Sequence, residues 1–357
     1  MKLPSLLLPG LMLLMFAGCK QDFDITADYK ELPVVYGLLN YQDNNHYLRI
    51  QKGYLIEGNA RLAAGIPDSI YYPDILSVQL IPYTATGTQL GSPLNFTRVD
   101  GNTIGLPKDS GVFATTPNWL YTFNGNLDPA KNYQLVVRND SSKQVFKNTP
   151  DLDDNGKGIK LVQDFAVSTP IKGYQMSLQK NSPSSRVVWS RATNASLYDL
   201  TVRFFYKEYR TADNVLLKDT FIDIPLFKSF EPDNTTTQIP PVEISSDNLL
   251  SFLARNLVAS NDIYREFNLQ KGMQFKLSAG GKEFARFINS QQAQGGLGSN
   301  EALPPYTNIE NGAGLVSSRY FKQIDSVTLS AAGFDVLSCS DVSKALRFKN
   351  KNGVICQ

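Results

Sequence analysis

RVVWSRATNASLYDLTVRFFYKEY, residues 186–209, decides the fold class. Val188 and Trp189, then Tyr198, Leu200, Val202 and Phe204, fall with the period of half-buried strands rather than the 3.6-residue period of a helix. The residues are aromatic and β-branched, which suits a pleated surface. A short polar turn separates two such runs, so the stretch reads as a pair of strands. Trp189 suits the space between packed sheets. A ligand-stacking Trp189 is the rival reading, and spacing favours the core.

Working back toward the N-terminus, LDPAKNYQLVV (127–137) sets Leu127 and Pro129 in a corner ahead of Tyr133, with Leu135 and Val137 alternating after it. This looks like the tyrosine corner of immunoglobulin-like and fibronectin-like sandwiches, where the hydroxyl bonds back to the chain at a strand-to-strand turn. Further strands are expected at 34–39, 77–83, 94–98 and 119–123. A turn at Gln42–Asn45 leads into HYLRIQKGYL (46–55), with Leu48 and Ile50 on one face and Tyr47 and Arg49 on the other. The first two runs therefore form a hairpin.

Toward the C-terminus, Ser245, Ser246 and Asp247 supply capping oxygens to a helix whose apolar stripe is Leu249, Leu250, Phe252, Leu253 and Leu257. MQFKLSAGGKEFARFI (273–288) reads as a hairpin with Gly280 and Gly281 at its turn. The fold class expected is mainly β: two β-sandwich domains, immunoglobulin- or fibronectin-like, with one or two short helices in the second. The 357 residues exceed what one core usually organises. The expected division is a signal peptide (1–18), a lipidated tether (19–31), an N-terminal sandwich (32–150), a linker (151–158) and a C-terminal β-rich domain (159–357) with a long loop at 290–319.

The polar segment TPDLDDNGKG (149–158) carries a second reading. Asp151, Asp153, Asn155 and Gly156 stand where a calcium loop puts early ligands and its turn glycine, but the twelfth position is Val162 instead of a bidentate glutamate. A solvated linker fits better, and no metal site is expected.

Composition excludes several classes. With 35 basic and 33 acidic residues there is no stripe suited to nucleic acid, and no nucleic-acid partner is expected. The single histidine, His46, rules out zinc sites that need two or three. No Gly-x-Ser-x-Gly pattern accompanies it, so His46 reads as an exposed turn residue. The glycines at 295, 296 and 298 lack the Gly-Lys-Ser/Thr of a phosphate loop. A carboxylate pair for glycoside hydrolysis is not distinguishable from background. Neither catalytic residues nor a cofactor is expected.

The long loop carries Tyr306, Asn308, Asn311 and Arg319, which read either as an interface or ligand surface or as ordinary turn chemistry around Asn311-Gly312. Tyr71, Tyr72 and Tyr306 are the candidate exposed rings for a ligand. Cys339 and Cys356 enclose residues 340–355; as a disulfide they would contribute about 3 kcal/mol. Two unpaired thiols are the alternative.

At the other end, Leu6 to Ala17 is an apolar run behind Lys2, too short to span a bilayer at about 20 residues. Ala17-Gly18-Cys19 resembles a bacterial lipobox, with Phe16 departing from the usual leucine. Cys19 is the expected site of lipidation, palmitate included, and several acyl chains on one residue anchor firmly at about 0.8 kcal/mol per buried CH₂. Lys20 to Asp24 resembles the export signal of Bacteroidota surface lipoproteins, though a tether would be polar in any case. The expected address is the outer membrane, surface-exposed, with the periplasmic leaflet as the alternative.

PVVYGLLN (33–40), HYLRIQKGYL, YTNIENGAGLVSSRY (306–320), VVW (187–189) and the Tyr198 strand together resemble a family of Bacteroidota lipoproteins classed as a domain of unknown function. Its members are often encoded beside TonB-dependent outer-membrane transporters. The resemblance implies a β-rich envelope protein that partners such a transporter or another surface complex, and it carries over no catalytic residues; the function expected first is therefore that of a non-enzymatic partner subunit. A surface protein that binds glycan or peptide is the alternative; an enzyme ranks third.

Overall fold

Alternation writes most of the secondary structure. The computed structural model of the chain describes residues 32–53, 60–149, 157–168, 175–178, 183–233, 239, 241–294 and 306–356. Cys19 and the candidate calcium ligands Asp151, Asp153, Asn155 and Gly156 lie outside the described residues.

The first half contains β1 (Pro33–Leu39), β2 (Asn45–Lys52), α1 (Ala60–Ala64), α2 (Pro67–Ile70), β3 (Leu76–Tyr83), β4 (Leu94–Asp100), β5 (Trp119–Asn124), β6 (Asn132–Asn139) and β7 (Val145–Asn148). There follow β8 (Ile159–Lys160), β9 (Val167–Ser168), β10 (Gln175–Met176), β11 (Pro183–Trp189), β12 (Ala195–Arg210), β13 (Leu216–Phe230), β14 (Val242–Ser245), α3 (Ser246–Asn256) and β15 (Ile263–Phe267). The chain ends with β16 (Met273–Gly281), α4 (Lys282–Gln294), β17 (Ile309–Glu310), β18 (Ala313–Leu329) and α5 (Ala331–Cys339). Strand makes up 47% and helix 17%, so the protein is mainly β. Among the described residues there are five helices: α1 and α2 stand in the first half, where none was expected, and three in the second, where one or two were. No helix among the described residues is long and apolar enough to cross a membrane.

The large sheet runs β13-β12-β16-β18-β1-β2-β5-β4-β3-β6-β7-β17, and a small second sheet is ordered β14-β11-β9. β1 and β2 form the expected antiparallel hairpin, with Val35 opposite Ile50 and Tyr36 opposite Arg49. At the expected corner, the Tyr133 hydroxyl accepts from the Asp128 amide at 2.7 Å. A second corner stands in the opening stretch: the Tyr198 hydroxyl accepts from the Ala192 amide at 2.9 Å. That contact explains why β11 and β12 do not pair with each other. The turn, with Asn194 at φ 65°, carries the chain out of the small sheet into the large one instead of folding it back. Trp189 is fully buried against Tyr198 and Phe227.

α3 forms as its pattern predicts, with Ser245 Oγ accepting from the Asn248 amide and Leu249, Leu250 and Leu253 buried, each contributing roughly 1.5–3 kcal/mol. The hairpin expected at Gly280-Gly281 does not form. β16 ends there and α4 begins, because Phe284 and Phe287 recur at helical spacing. A Cβ on Gly280 would stand 2.6 Å from the Phe284 ring, so the glycine lets the helix start close over the strand. The long loop expected at 290–319 is shortened at both ends: α4 reaches Gln294, β17 and β18 occupy the far end, and residues 295–305 lie outside the described residues.

β18 joins the two halves of the molecule. Its first residues run parallel to β1, from Val34 opposite Ala313 to Leu39 opposite Ser318. From Arg319, opposite Gly280, it runs antiparallel to β16. Gly314 is required in the first part: its φ is +106°, and a Cβ there would stand 2.0 Å from the Val35 carbonyl oxygen. Two hydrophobic cores result. One gathers β1 to β8 with Leu161, Ile309 and Val316; the other gathers Val162 onward, with Trp189 and α3. Neighbours Leu161 and Val162 thus belong to different cores. Between them, Ser318 Oγ donates to the Lys160 carbonyl at 2.7 Å and accepts from the Val162 amide at 3.0 Å.

Candidate functional site

The strand period sends alternate residues out of the cores, and on one outer face these residues line a cleft. β1 presents Tyr36 and Leu38 there, because Val35 and Leu39 point inward. β2 presents Tyr47 and Arg49 by the same rule. β18 contributes Arg319 and Phe321, while Ser278 and Gly280 of β16 and Leu197 and Asp199 of β12 continue the row. The result is a cavity of 530 Å³ over β1 and β2 and one of 210 Å³ over β16 and β12. Both have Leu38 and Arg319 in their walls, so Arg319 stands where the two meet.

Neighbouring contacts hold that arginine in place. Ser317 Oγ, one step before the joint serine, accepts from the Phe284 amide and donates to Glu283 Oε2 at 3.1 Å, docking the start of α4 on β18. The Arg319 guanidinium lies 4.8 Å from the centre of the Phe321 ring, and its Nε is buried with no acceptor. Among the described residues it forms no ion pair. Arg49 donates to the Tyr71 hydroxyl at 3.4 Å. Tyr36 meets Phe287 of α4 edge to face, ring centres 6.1 Å apart. Asp43 sits in the wall of the larger cavity and Asp199 in that of the smaller; Asp199 Oδ1 accepts from the Ser229 amide at 2.6 Å.

The other residues singled out by sequence lie elsewhere. Asn308 is buried and grips Val316 twice, Nδ2 donating to its carbonyl at 2.7 Å and Oδ1 accepting from its amide at 2.9 Å. It pins β17 to β18. Asn311, at φ 56°, makes the tight turn between them. Tyr306 is half-buried, its amide donating to Ser290 Oγ at 3.3 Å. Arg319 alone of the four faces the cleft. Tyr71 and Tyr72 are not exposed rings: they directly follow α2 and are buried at 3% and 6% exposure, Tyr72 in the first core. His46 is not an exposed turn residue either. It packs on Phe123, its Nε2 lies 3.0 Å from the Gly125 carbonyl, and burial pushes it below its ordinary range. Tyr36, Tyr47 and Phe321 were legible only as alternating strand residues, with no signal setting them apart.

A third cavity, of 690 Å³, lies beside the C-terminus, where Cys339 and Cys356 form a disulfide with Cα atoms 5.1 Å apart. Its cations are already engaged: Lys344 with Asp341 at 3.4 Å, and Arg347 Nε with the Ile263 carbonyl at 3.1 Å. No cluster of His, Cys, Asp and Glu among the described residues could hold a metal ion.

A second exposed feature is the long β12–β13 hairpin. Among the described residues β13 is the outermost strand, paired through β12 alone. Bidentate Arg203–Asp223 contacts at 2.7 Å, with Arg203 stacked on Phe221, stiffen it. At its tip Val215, Leu216 and Leu217 are 46%, 49% and 42% exposed. No protein-family model matches the chain, and no curated protein matches it.

Proposed function

We propose that this protein is a non-enzymatic, lipid-anchored subunit on the outer membrane that partners a TonB-dependent transporter. The observation that carries the reading is the tip of the β12–β13 hairpin. Three consecutive exposed aliphatic residues beside an open strand edge are a liability in a free protein and expected in one that docks. The lipobox-like segment ending at Cys19 and the resemblance to transporter-associated lipoproteins point to the same partner. Two β-sandwich units of immunoglobulin-like character, sharing β18, fit the two cores and the two corner tyrosines.

The test is a mild-detergent pull-down of the tagged lipoprotein from its own outer membrane, with mass spectrometry of what accompanies it. A stoichiometric barrel protein, lost on Leu216→Asp/Leu217→Asp, is expected. Recovery of the lipoprotein alone, or a barrel retained by the double variant, would overturn the reading. Retention in membranes through the tip alone, with no barrel, would assign it to lipid instead. Ligand binding is a second reading, favoured by the cleft around Arg319.

A further inference from the structure

We propose that the Arg319 cleft binds a small ligand bearing one carboxylate and a ring. A guanidinium that is partly desolvated normally has a carboxylate or a carbonyl cage around it. Arg265 in this protein does: it is 1% exposed, and all three of its nitrogens have oxygen acceptors. Arg319 has a buried, acceptor-free Nε, a ring face for support, and open cavity on two sides. With Nε closed off, the terminal nitrogens of the fork are what a ligand meets from the cavity, and the two oxygens of a carboxylate match them.

The walls select further. Arg49 adds a second cation to the larger cavity; burial first, and then repulsion from Arg49, hold the Lys108 amine below its usual range. Asp43 and Asp199 limit how much negative charge the cleft tolerates, so a single carboxylate fits better than a doubly charged phosphate. Asp43 is placed to accept from a hydroxyl or amide of the same ligand. Tyr36 and Phe321, 42% and 44% exposed, offer ring faces on either side of the arginine. A cavity of 530 Å³ lies within the ordinary range for small-ligand sites, about 300–1,000 Å³. The required chemistry is shared by uronic-acid sugars and by the carboxyl ends of aromatic amino acids or peptides.

Titration calorimetry on the full chain in mild detergent tests this with two acids, D-glucuronate and N-acetylphenylalanine. Each is run against its neutral counterpart, D-glucose or N-acetylphenylalanine amide. One acid is expected to saturate, with its neutral counterpart weaker by about tenfold or more, and which acid does so identifies the source. Arg319→Gln is expected to abolish the preference, and Arg319→Lys to keep part of it. Far-UV circular dichroism should be unchanged in both, since among the described residues the Arg319 side chain makes no hydrogen bond or ion pair and lies against the exposed Phe321 ring. The proposal is overturned if neither acid saturates below about 10 mM. It also fails if acid and neutral form bind alike, or if folded Arg319→Gln binds the acid as wild type does. Should Arg319→Gln fail to fold, Tyr36→Ala at an exposed ring takes its place, and undiminished binding there overturns the proposal equally.

Discussion

Replacing Arg265 with methionine should destabilise the protein more than any surface change, and the geometry sets the size. The Arg265 Nε and Nη2 lie 2.9 and 2.8 Å from Glu208 Oε1, and Glu208 is itself 6% exposed. Removing one partner of a buried pair costs about 3–5 kcal/mol, because the remaining carboxylate is stranded in a low dielectric. Lys218 stays 3.4 Å from Glu208 Oε2 but is 66% exposed, so it offsets less than about 1 kcal/mol. Against that, the carbonyls of Leu346 and Val258 lose donors at 2.9 and 2.8 Å, each worth about 1–3 kcal/mol if water does not replace them. The expected loss is about 4–6 kcal/mol, read by urea unfolding followed through the fluorescence of Trp189 in the same half of the molecule. Arg265→Met/Glu208→Gln should recover a good share, since no uncompensated charge remains. A single variant within about 1 kcal/mol of wild type would refute the reasoning, as would a double variant no more stable than the single.

Burial holds His46 below its ordinary value of about 6.5, against opposing pulls from the Gly125 carbonyl and Asp43. Its neutral form therefore stabilises the fold fully above that value, and the contribution is lost as pH falls toward the depressed folded value. The urea midpoint of wild type should drop more between about pH 7.5 and pH 5 than that of His46→Gln; equal drops would refute this. Gly314→Ala, whose Cβ would stand 2.0 Å from the Val35 carbonyl oxygen, should open the β1–β18 ladder and expose the Val35 amide to hydrogen exchange. Unchanged exchange there would count against the register. Tyr198→Phe removes one corner bond and should cost about 1 kcal/mol in thermal unfolding, and Tyr133→Phe, which removes the bond accepted from the Asp128 amide and a longer one donated to the Asp128 carbonyl, about 1–2 kcal/mol; a cost at only one would mark the other hydroxyl as replaceable by water.

The local grammar of this chain was readable and its long-range pairing was not. Alternation in 46–51 and 127–137 specified β2 and the Tyr133 corner because a half-buried strand writes its own period. The same period at 273–279 was carried one step too far, turning Gly280-Gly281 into a hairpin, since a glycine pair marks a close approach as readily as a turn. Nothing local could pair β1 with residues 313–318, because that ladder joins segments from opposite ends of the sequence. Of the site, Arg319 was visible as a candidate, but its cleft was not: Tyr36, Tyr47 and Phe321 are ordinary strand residues until β18 lays them side by side. Tyr71 and Tyr72 look like free rings in sequence because the four-residue helix they follow has no periodic signature and their burial comes from distant strands.

The late arrival of β18 also dictates when the molecule can finish folding. β1 lacks its second neighbour, and the first core lacks Val316, until the chain beyond residue 312 has been made. At about 5–20 residues per second, residues 40–312 take some tens of seconds to synthesise. For that interval the N-terminal half is an open sheet awaiting its last strand. The edge of β1 that faces β18 therefore has no partner strand until nearly all of the chain has been made.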